Sequence, residues 1–208
     1  MIAKPIFAEQ GGGANACLLK KTYCKGAILS VSTPPGTGVP ISVKPPTVSG
    51  KYLNVPYYKQ TQTNWCWAAC SQMVEGFFGK DAPQCKSANW LFGQSTCCNS
   101  PGSTACNQGC PITRIVSVHG FWGVNSSYTG TSLGFYTVKA WIENTKPVEC
   151  GFAWTGGGGH VVIVKGYDEN PQGQFVYVLD PWYGQGSIHY TDLLTAYGKG
   201  VWTWTWTF

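Results

Sequence analysis

Ten cysteines and three histidines hold most of the nucleophilic and acid–base chemistry in these 208 residues, and one cysteine is set apart by its surroundings. The stretch VPYYKQTQTNWCWAACSQMVEGFFG, residues 55–79, starts extended, crosses a polar loop at 60–64 and turns apolar at Trp65. Cys66 and Cys70 follow, one helical turn apart. From Cys66 onward Trp67, Ala68, Cys70, Val74, Phe77 and Phe78 recur at three- and four-residue steps, which predicts a helix with a buried face. Gly79 is its natural stop and Asn64 its natural cap. A thiol in the first turn lies at the positive end of the helix dipole, which favours a thiolate. Gln60, six residues earlier, carries two amide N–H donors. With the backbone N–H of Cys66 it could hold the oxyanion of a tetrahedral intermediate. Buried cysteines are commonly inert, so this stretch alone also fits two ordinary core or disulfide cysteines.

A cysteine nucleophile needs a base, and the base needs an orienter. His119 closes a helix predicted from Pro111 through PITRIVSVHG, where an imidazole complements the helix terminus. His189 lies in SIHYT, on an alternating strand with no glycine around it. His160 differs: it follows four glycines, 156–159, and opens the β-branched run HVVIVKGYD. Glycines there let a substrate or another backbone approach closely. Asp180 ends the next strand, FVYVLD, ahead of Pro181 and Trp182. A hairpin turning at 168–174 sets the start of the first strand beside the end of the second, so His160 and Asp180 should be neighbours. Asp180 also suits an ordinary turn before proline. Asp168 falls in the hairpin turn, at the opposite end from His160.

These residues need elements to hold them. Residues 1–50, with GGG, two PP pairs and GTG, read as an extension holding two β-like pieces, 27–32 and 39–43. It is a packed arm or, alternatively, a propeptide lying across a cleft; a Cys17–Cys24 bridge would close a short loop within it. CKSANWLFG (85–93) is a short helix stopped by Gly93. The loop STCCNSPGSTACNQGC (95–110) carries Cys97, Cys98, Cys106 and Cys110. Zinc on these thiols, with His119, is disfavoured because no C-x-x-C pair is present. A disulfide-stapled loop is expected instead, with Cys70, Cys85 and Cys97 or Cys98 brought together to pin it to the central helix. Residues 134–145 form a third helix, and from Pro147 the pattern changes to strands. In the terminal VWTWTWTF, tryptophans 202, 204 and 206 alternate with threonines, as on a half-buried antiparallel strand. Helices first and antiparallel sheet second is an α+β plan.

Composition narrows the function further. The net charge of +5 comes from thirteen lysines and a single arginine, Arg114, without clustering, which argues against nucleic-acid binding. No apolar run is long enough to span a bilayer, and MIAKPIFAEQGGG has too short an apolar core for a secretory signal. Ten cysteines favour an oxidising, extracytoplasmic destination. With Cys66 free, nine remain, so at least one more is unpaired.

Gln60, then Cys66-Trp67-Ala68 opening a helix, then glycine-preceded His160 on a strand, then a polar residue with Trp two later, resembles the papain-like cysteine peptidases. The segments NWCWAACSQM, CKSANWLFG with STCC, GGGGHVVIVKGYD and YVLDPWYG, within residues 55–190, look closer still to bacterial members related to secreted effector proteases of plant pathogens. The resemblance implies a two-lobed α+β fold over residues 51–208, a helical lobe to about 146 and a β lobe from 147. It implies Cys66 as nucleophile, His160 as base and then acid, Asp180 as orienter and Gln60 as oxyanion donor, with no cofactor and no metal. Trp182 would shield the His–Asp hydrogen bond, and Trp65, Gly159 and Trp182 would contact substrate. The implied partners are a polypeptide substrate and an inhibitor or immunity protein; the chain would act as a monomer without membrane or nucleic acid. Three features depart from the pattern. The orienter is Asp rather than Asn, the Cys-to-His interval is 94 residues (160 − 66) against about 130–150 in papain, and no long charged helical propeptide precedes Gln60. Two other readings fit the residues: an amidase or acyltransferase acting on non-protein amides such as cell-wall cross-bridges, and a non-catalytic disulfide-rich binding domain.

Overall fold

The computed structural model describes residues 28–29 and 49–208. The Cys17–Cys24 bridge, the piece at 39–43 and the arm-or-propeptide question lie outside the described residues. The part of the arm that is described, β1 (Ile28–Leu29), pairs antiparallel with β3 (Cys110–Pro111).

The chain is α+β, as its pattern of elements predicts. Helix α1 (Cys66–Phe77) is buried along nearly its whole length, with every residue from Cys66 to Ser71 excluded from solvent. A helix that is apolar almost all round belongs in the middle of a core, and α1 packs on strand β6 of the main sheet, with the Cys70 thiol 3.2 Å from the Val161 carbonyl. The expected cap is a correction. Trp65, not Asn64, occupies the cap position, and no side chain caps the helix. Asn64 is used elsewhere: its backbone N–H donates to Asn107 Oδ1 (3.0 Å) and its side-chain amide to the Asn107 carbonyl (2.9 Å). The polar loop is thereby tied to the cysteine-rich segment.

That segment is stapled by Cys85–Cys98 and Cys97–Cys106. Cys85 lies on α2 (Gln84–Phe92), which Gly93 ends in a left-handed conformation. The staple therefore anchors the loop to α2 and not, as anticipated, to Cys70 of the central helix. Cys66, Cys70, Cys110 and Cys150 are free thiols, all buried. With three of its four thiols in disulfides, the cysteine-rich loop has no ligand set for zinc.

The main sheet has the order β4-β9-β5-β6-β7-β8, with β2 (Lys51–Tyr52) added beside β6. Strands β5 (Val148–Trp154), β6 (Gly159–Asn170), β7 (Gly173–Asp180) and β8 (Gly184–His189) form an antiparallel meander. Asp168 is part of β6, opposite Phe175, rather than in the turn. Helix α4 (Phe135–Glu143) precedes β5; after α5 (Tyr190–Leu194), β9 (Gly200–Thr207) returns to pair with β5, and β4 (Ser127–Thr129) covers its far edge. Gly166 is required where β2 lies on β6: a Cβ there would sit 2.6 Å from Tyr52 Cβ. The Trp/Thr alternation of β9 holds only in part. A bulge between Gly151 and Phe152 pairs them with Trp204 and Trp202. Trp202, Thr205 and Trp206 are buried while Trp204 is half-exposed. An extra residue on one strand resets which side chains face inward.

His119 is a further correction. It lies on α3 (Ile115–Phe121), but its imidazole does not serve the helix end. Nδ1 is 2.7 Å from Glu75 of α1, and Nε2 is 2.8 Å from Glu149 of β5, with all three side chains wholly buried. Both ring nitrogens face carboxylates, so both carry hydrogen and the ring is an imidazolium. Burial alone would lower its pKa. The charge and hydrogen bond of Glu149, then those of Glu75, overcome this and push it up to about 10. Burial also raises the Glu75 carboxyl and holds the Cys70, Cys110 and Cys150 thiols well above their ordinary range.

All these shifts act on stability in one direction. A histidine with a raised folded pKa contributes stability in full below its unfolded value, near 6.5, and loses it as pH rises through about 10. The buried thiols add to the loss from about pH 9, where unfolded thiols ionise and folded ones do not. The urea midpoint is therefore expected to fall continuously between pH 7 and 10; a flat or rising midpoint across that range would contradict the assignment.

Candidate active site

Three elements meet at the N-terminal end of α1. The helix presents Cys66, the start of β6 presents His160, and the end of β7 presents Asp180. The hairpin logic of the sequence is realised: His160 Nε2 lies 2.8 Å from Asp180 Oδ1. The other imidazole nitrogen is left for Cys66, whose thiol lies near enough to raise the ring's pKa. Burial would lower the His160 pKa. The charge and hydrogen bond of Asp180, followed by the hydrogen bond and charge of Cys66, push it up to about 10. His160 is thus held as an imidazolium beside the thiol, where Cys66 and Asp180 have no exposed surface and His160 has 1%.

Asp180 is fixed by more partners than its place before a proline implies. Oδ1 also accepts the backbone N–H groups of Trp182 (2.8 Å) and Tyr183 (3.0 Å), a turn the Asp-Pro-Trp sequence favours. Oδ2 accepts the Tyr197 hydroxyl at 3.1 Å, and the Asp180 carbonyl accepts the Tyr57 hydroxyl at 3.2 Å. The glycine run does what close approach requires. Gly157 and Gly158 adopt φ of 90° and 79°, closing the β5–β6 connection, and Gly156 to Gly158 are exposed beside the buried His160.

Gln60 joins the site through its backbone, whose N–H donates to the Pro181 carbonyl at 3.0 Å. Its side-chain amide braces its own loop, with Nε2 donating to the carbonyls of Gln62 (2.8 Å) and Thr63 (3.0 Å), while buried Oε1 has no partner. Both amide hydrogens are thereby engaged. An oxyanion would have to share one of them.

The other expected positions divide. Trp65 is a correction: it is 1% exposed and its indole N–H donates to the Cys106 carbonyl at 2.8 Å, so it anchors the disulfide loop rather than facing substrate. Gly159 is buried and paired with Ala153 in the sheet. Trp182 contributes a backbone N–H to Asp180, and its ring is half-buried. The ring stacked on His160 is instead Trp154, at 5.9 Å between centroids and 17° between planes, with Phe152 and Tyr183 completing the aromatic surround. The ring packed on the His160 face is thus Trp154 of β5. Sequence spacing could not show this, because Trp154 reaches His160 across a strand pair. His189 lies apart, exposed at the end of β8 against Phe175.

A family model described as the Peptidase_C39 like family matches residues 52–205, and the chain belongs to that family; it is a cysteine peptidase by descent. Among solved structures, a C39-like peptidase from Bacillus anthracis is similar at 15% identity and a TM-score of 0.53, covering 74% of this chain and 94% of its own, which shows a shared fold. A double glycine motif protease from an AMS/PCAT transporter, solved in complex with the leader peptide, is 18% identical over 79% of this chain and 96% of its own, with a TM-score of 0.46. The Pseudomonas avirulence protein AvrPphB is 8% identical over 74% and 96%, with a TM-score of 0.34, too distant to carry the effector-branch expectation. No curated protein matches the sequence.

Proposed function

We propose that this chain hydrolyses peptide bonds through a thioester acyl-enzyme, with Cys66 as nucleophile, His160 as general base and acid, and Asp180 as orienter. The observation that carries this reading is the His160–Asp180 hydrogen bond with Cys66 beside it at the start of a buried helix. In the proposed reaction the thiolate of the Cys66–imidazolium pair attacks the carbonyl carbon. The developing oxyanion lies at the N-terminus of α1, where the first-turn amides have no intrahelical partners. His160 then gives its proton to the leaving amine, the C–N bond breaks and a thioester remains. Water, deprotonated by His160, releases the acid and restores the thiol. Asp180 holds the ring so that Nδ1 faces sulfur throughout.

A polypeptide substrate is favoured by the family and is consistent with the leader peptide bound to the transporter protease. A peptide-library digest with wild-type protein tests it. Discrete cleavage products support the reading, while loss of cell-wall turbidity without peptide cleavage would favour an amidase of non-protein substrates. A disulfide at Cys66 would have supported the non-catalytic alternative, and Cys66 is free.

Gln60 is assigned to the oxyanion, with one amide hydrogen shared between its loop carbonyl and the substrate. Gln60→Ala is expected to lower kcat by about a hundred-fold, the equivalent of about 3 kcal/mol for one donor, with KM little changed. If loop bracing were its whole role, the melting temperature would fall and kcat would follow only the folded fraction.

A further inference from the structure

We propose that Tyr197 is a positioning residue for catalysis: held in a strained left-handed turn, its hydroxyl clamps the second carboxylate oxygen of Asp180 and so fixes the imidazole of His160. This rests on the cysteine peptidase reading of the site. Tyr197 lies within the family match of residues 52–205 but beyond the motif-bearing segments of 55–190, and nothing in its local sequence, LTAYGKG, marks it.

The backbone supplies the first observation. Ala196, Tyr197 and Gly198 have φ of 45°, 61° and 76°, three consecutive left-handed residues between α5 and β9. For residues with a Cβ this conformation is disfavoured, and it rarely occurs in succession. Such strain persists where the surrounding structure over-determines it, and it concentrates at functional sites. Here the surroundings are explicit. The Tyr197 N–H donates to the Asp192 carbonyl at 2.8 Å, and the Gly198 N–H to Thr195 Oγ1 at 3.2 Å.

The side chain supplies the second observation. The ring meets Phe152 edge-on at 5.4 Å and Tyr183 at 6.2 Å, two residues that also pack around His160. Its hydroxyl reaches Asp180 Oδ2 at 3.1 Å. Oδ1 is already occupied by His160 and by two backbone amides, so Tyr197 is the side chain that holds the other oxygen. A carboxylate gripped at both oxygens cannot rotate about its terminal bond, and the bond to His160 keeps its direction. The titratable groups around this carboxylate are His160 on β6, Cys66 and Cys70 on α1, Cys150 on β5, and Tyr57 and Tyr183 on the flanking loops.

Tyr197→Phe retains the ring and removes the clamp. The expected result is a fall in kcat of about ten-fold with KM unchanged, together with a move of about one pH unit in the NMR titration midpoint of the His160 imidazole. In an Asp180→Ala background, Tyr197→Phe should leave the His160 titration where it is. The NMR readout needs no substrate. If wild-type protein cleaves no peptide yet the midpoint still moves, the peptidase reading fails and the clamp stands. An unmoved His160 midpoint, or an equal shift with Asp180 removed, would overturn the proposal, whatever happened to the melting temperature. Should Tyr197→Phe fold poorly, Ala196→Gly with Tyr197→Phe relieves the left-handed strain at 196 and allows the same measurement.

Discussion

Cys66→Ala protein is expected to cleave no peptide above the uncatalysed background, a loss on the order of 10⁴-fold or more, while folding normally. The size follows from covalent catalysis: without a nucleophile, only binding and oxyanion stabilisation remain. Cys66→Ser should be nearly as inactive, because a hydroxyl beside an imidazolium is not ionised as a thiol is. The matched control is Cys70→Ala. Cys70 is one turn deeper, its thiol is bonded to the Val161 carbonyl and burial holds it protonated, so its removal leaves a small cavity and an active enzyme. Because all four free thiols are equally buried, alkylation should single out Cys66 only through the base beside it, with Cys70, Cys110 and Cys150 unmodified. Activity retained in Cys66→Ala but lost in Cys70→Ala would reverse the roles of the two cysteines.

The largest effect on stability is expected away from the reacting atoms, at His119. Replacing it with Ala leaves Glu75 and Glu149 facing a void in the core without a counter-charge. Breaking a buried ion pair from one side typically costs about 3–5 kcal/mol. For a domain of this size that lowers the melting temperature by roughly 10 °C, as calorimetry would show. Glu75 belongs to α1 and Glu149 to β5, so the same change loosens the helix that carries Cys66 against the sheet that carries His160. Triple replacement of Glu75, His119 and Glu149 by leucine or methionine should recover most of the stability, because three fewer charges are desolvated on folding. If the triple variant were as unstable as His119→Ala, the loss would come from packing and not from unpaired carboxylates.

Much of the site was legible in the chain because its signals are local. Cys66 announces itself by the change from polar loop to apolar helix, and His160 by four glycines before a β-branched strand. Asp180 follows from hairpin geometry, since antiparallel pairing fixes which strand ends meet. The α+β class follows from the change of hydrophobic period near residue 147. Local pattern misled where a side chain had two possible partners. Asn64 looks like a cap but binds Asn107, and His119 looks like a helix-end cation but sits between two buried carboxylates.

What tertiary structure alone decided is what surrounds the reacting groups. Sequence spacing placed His160 beside Asp180 and Cys66 at the start of a helix, because a helix turn, a strand start and a strand end each have a fixed local geometry. It could not determine that Trp154 rather than Trp182 stacks on His160, that Gln60 engages both amide hydrogens within its own loop, or that Tyr197 holds Asp180. Those contacts depend on the β5–β6 register, on a loop folding over its own carbonyls and on a left-handed turn after α5. Their partners lie far apart in the chain or in backbone conformations that side-chain identity does not encode.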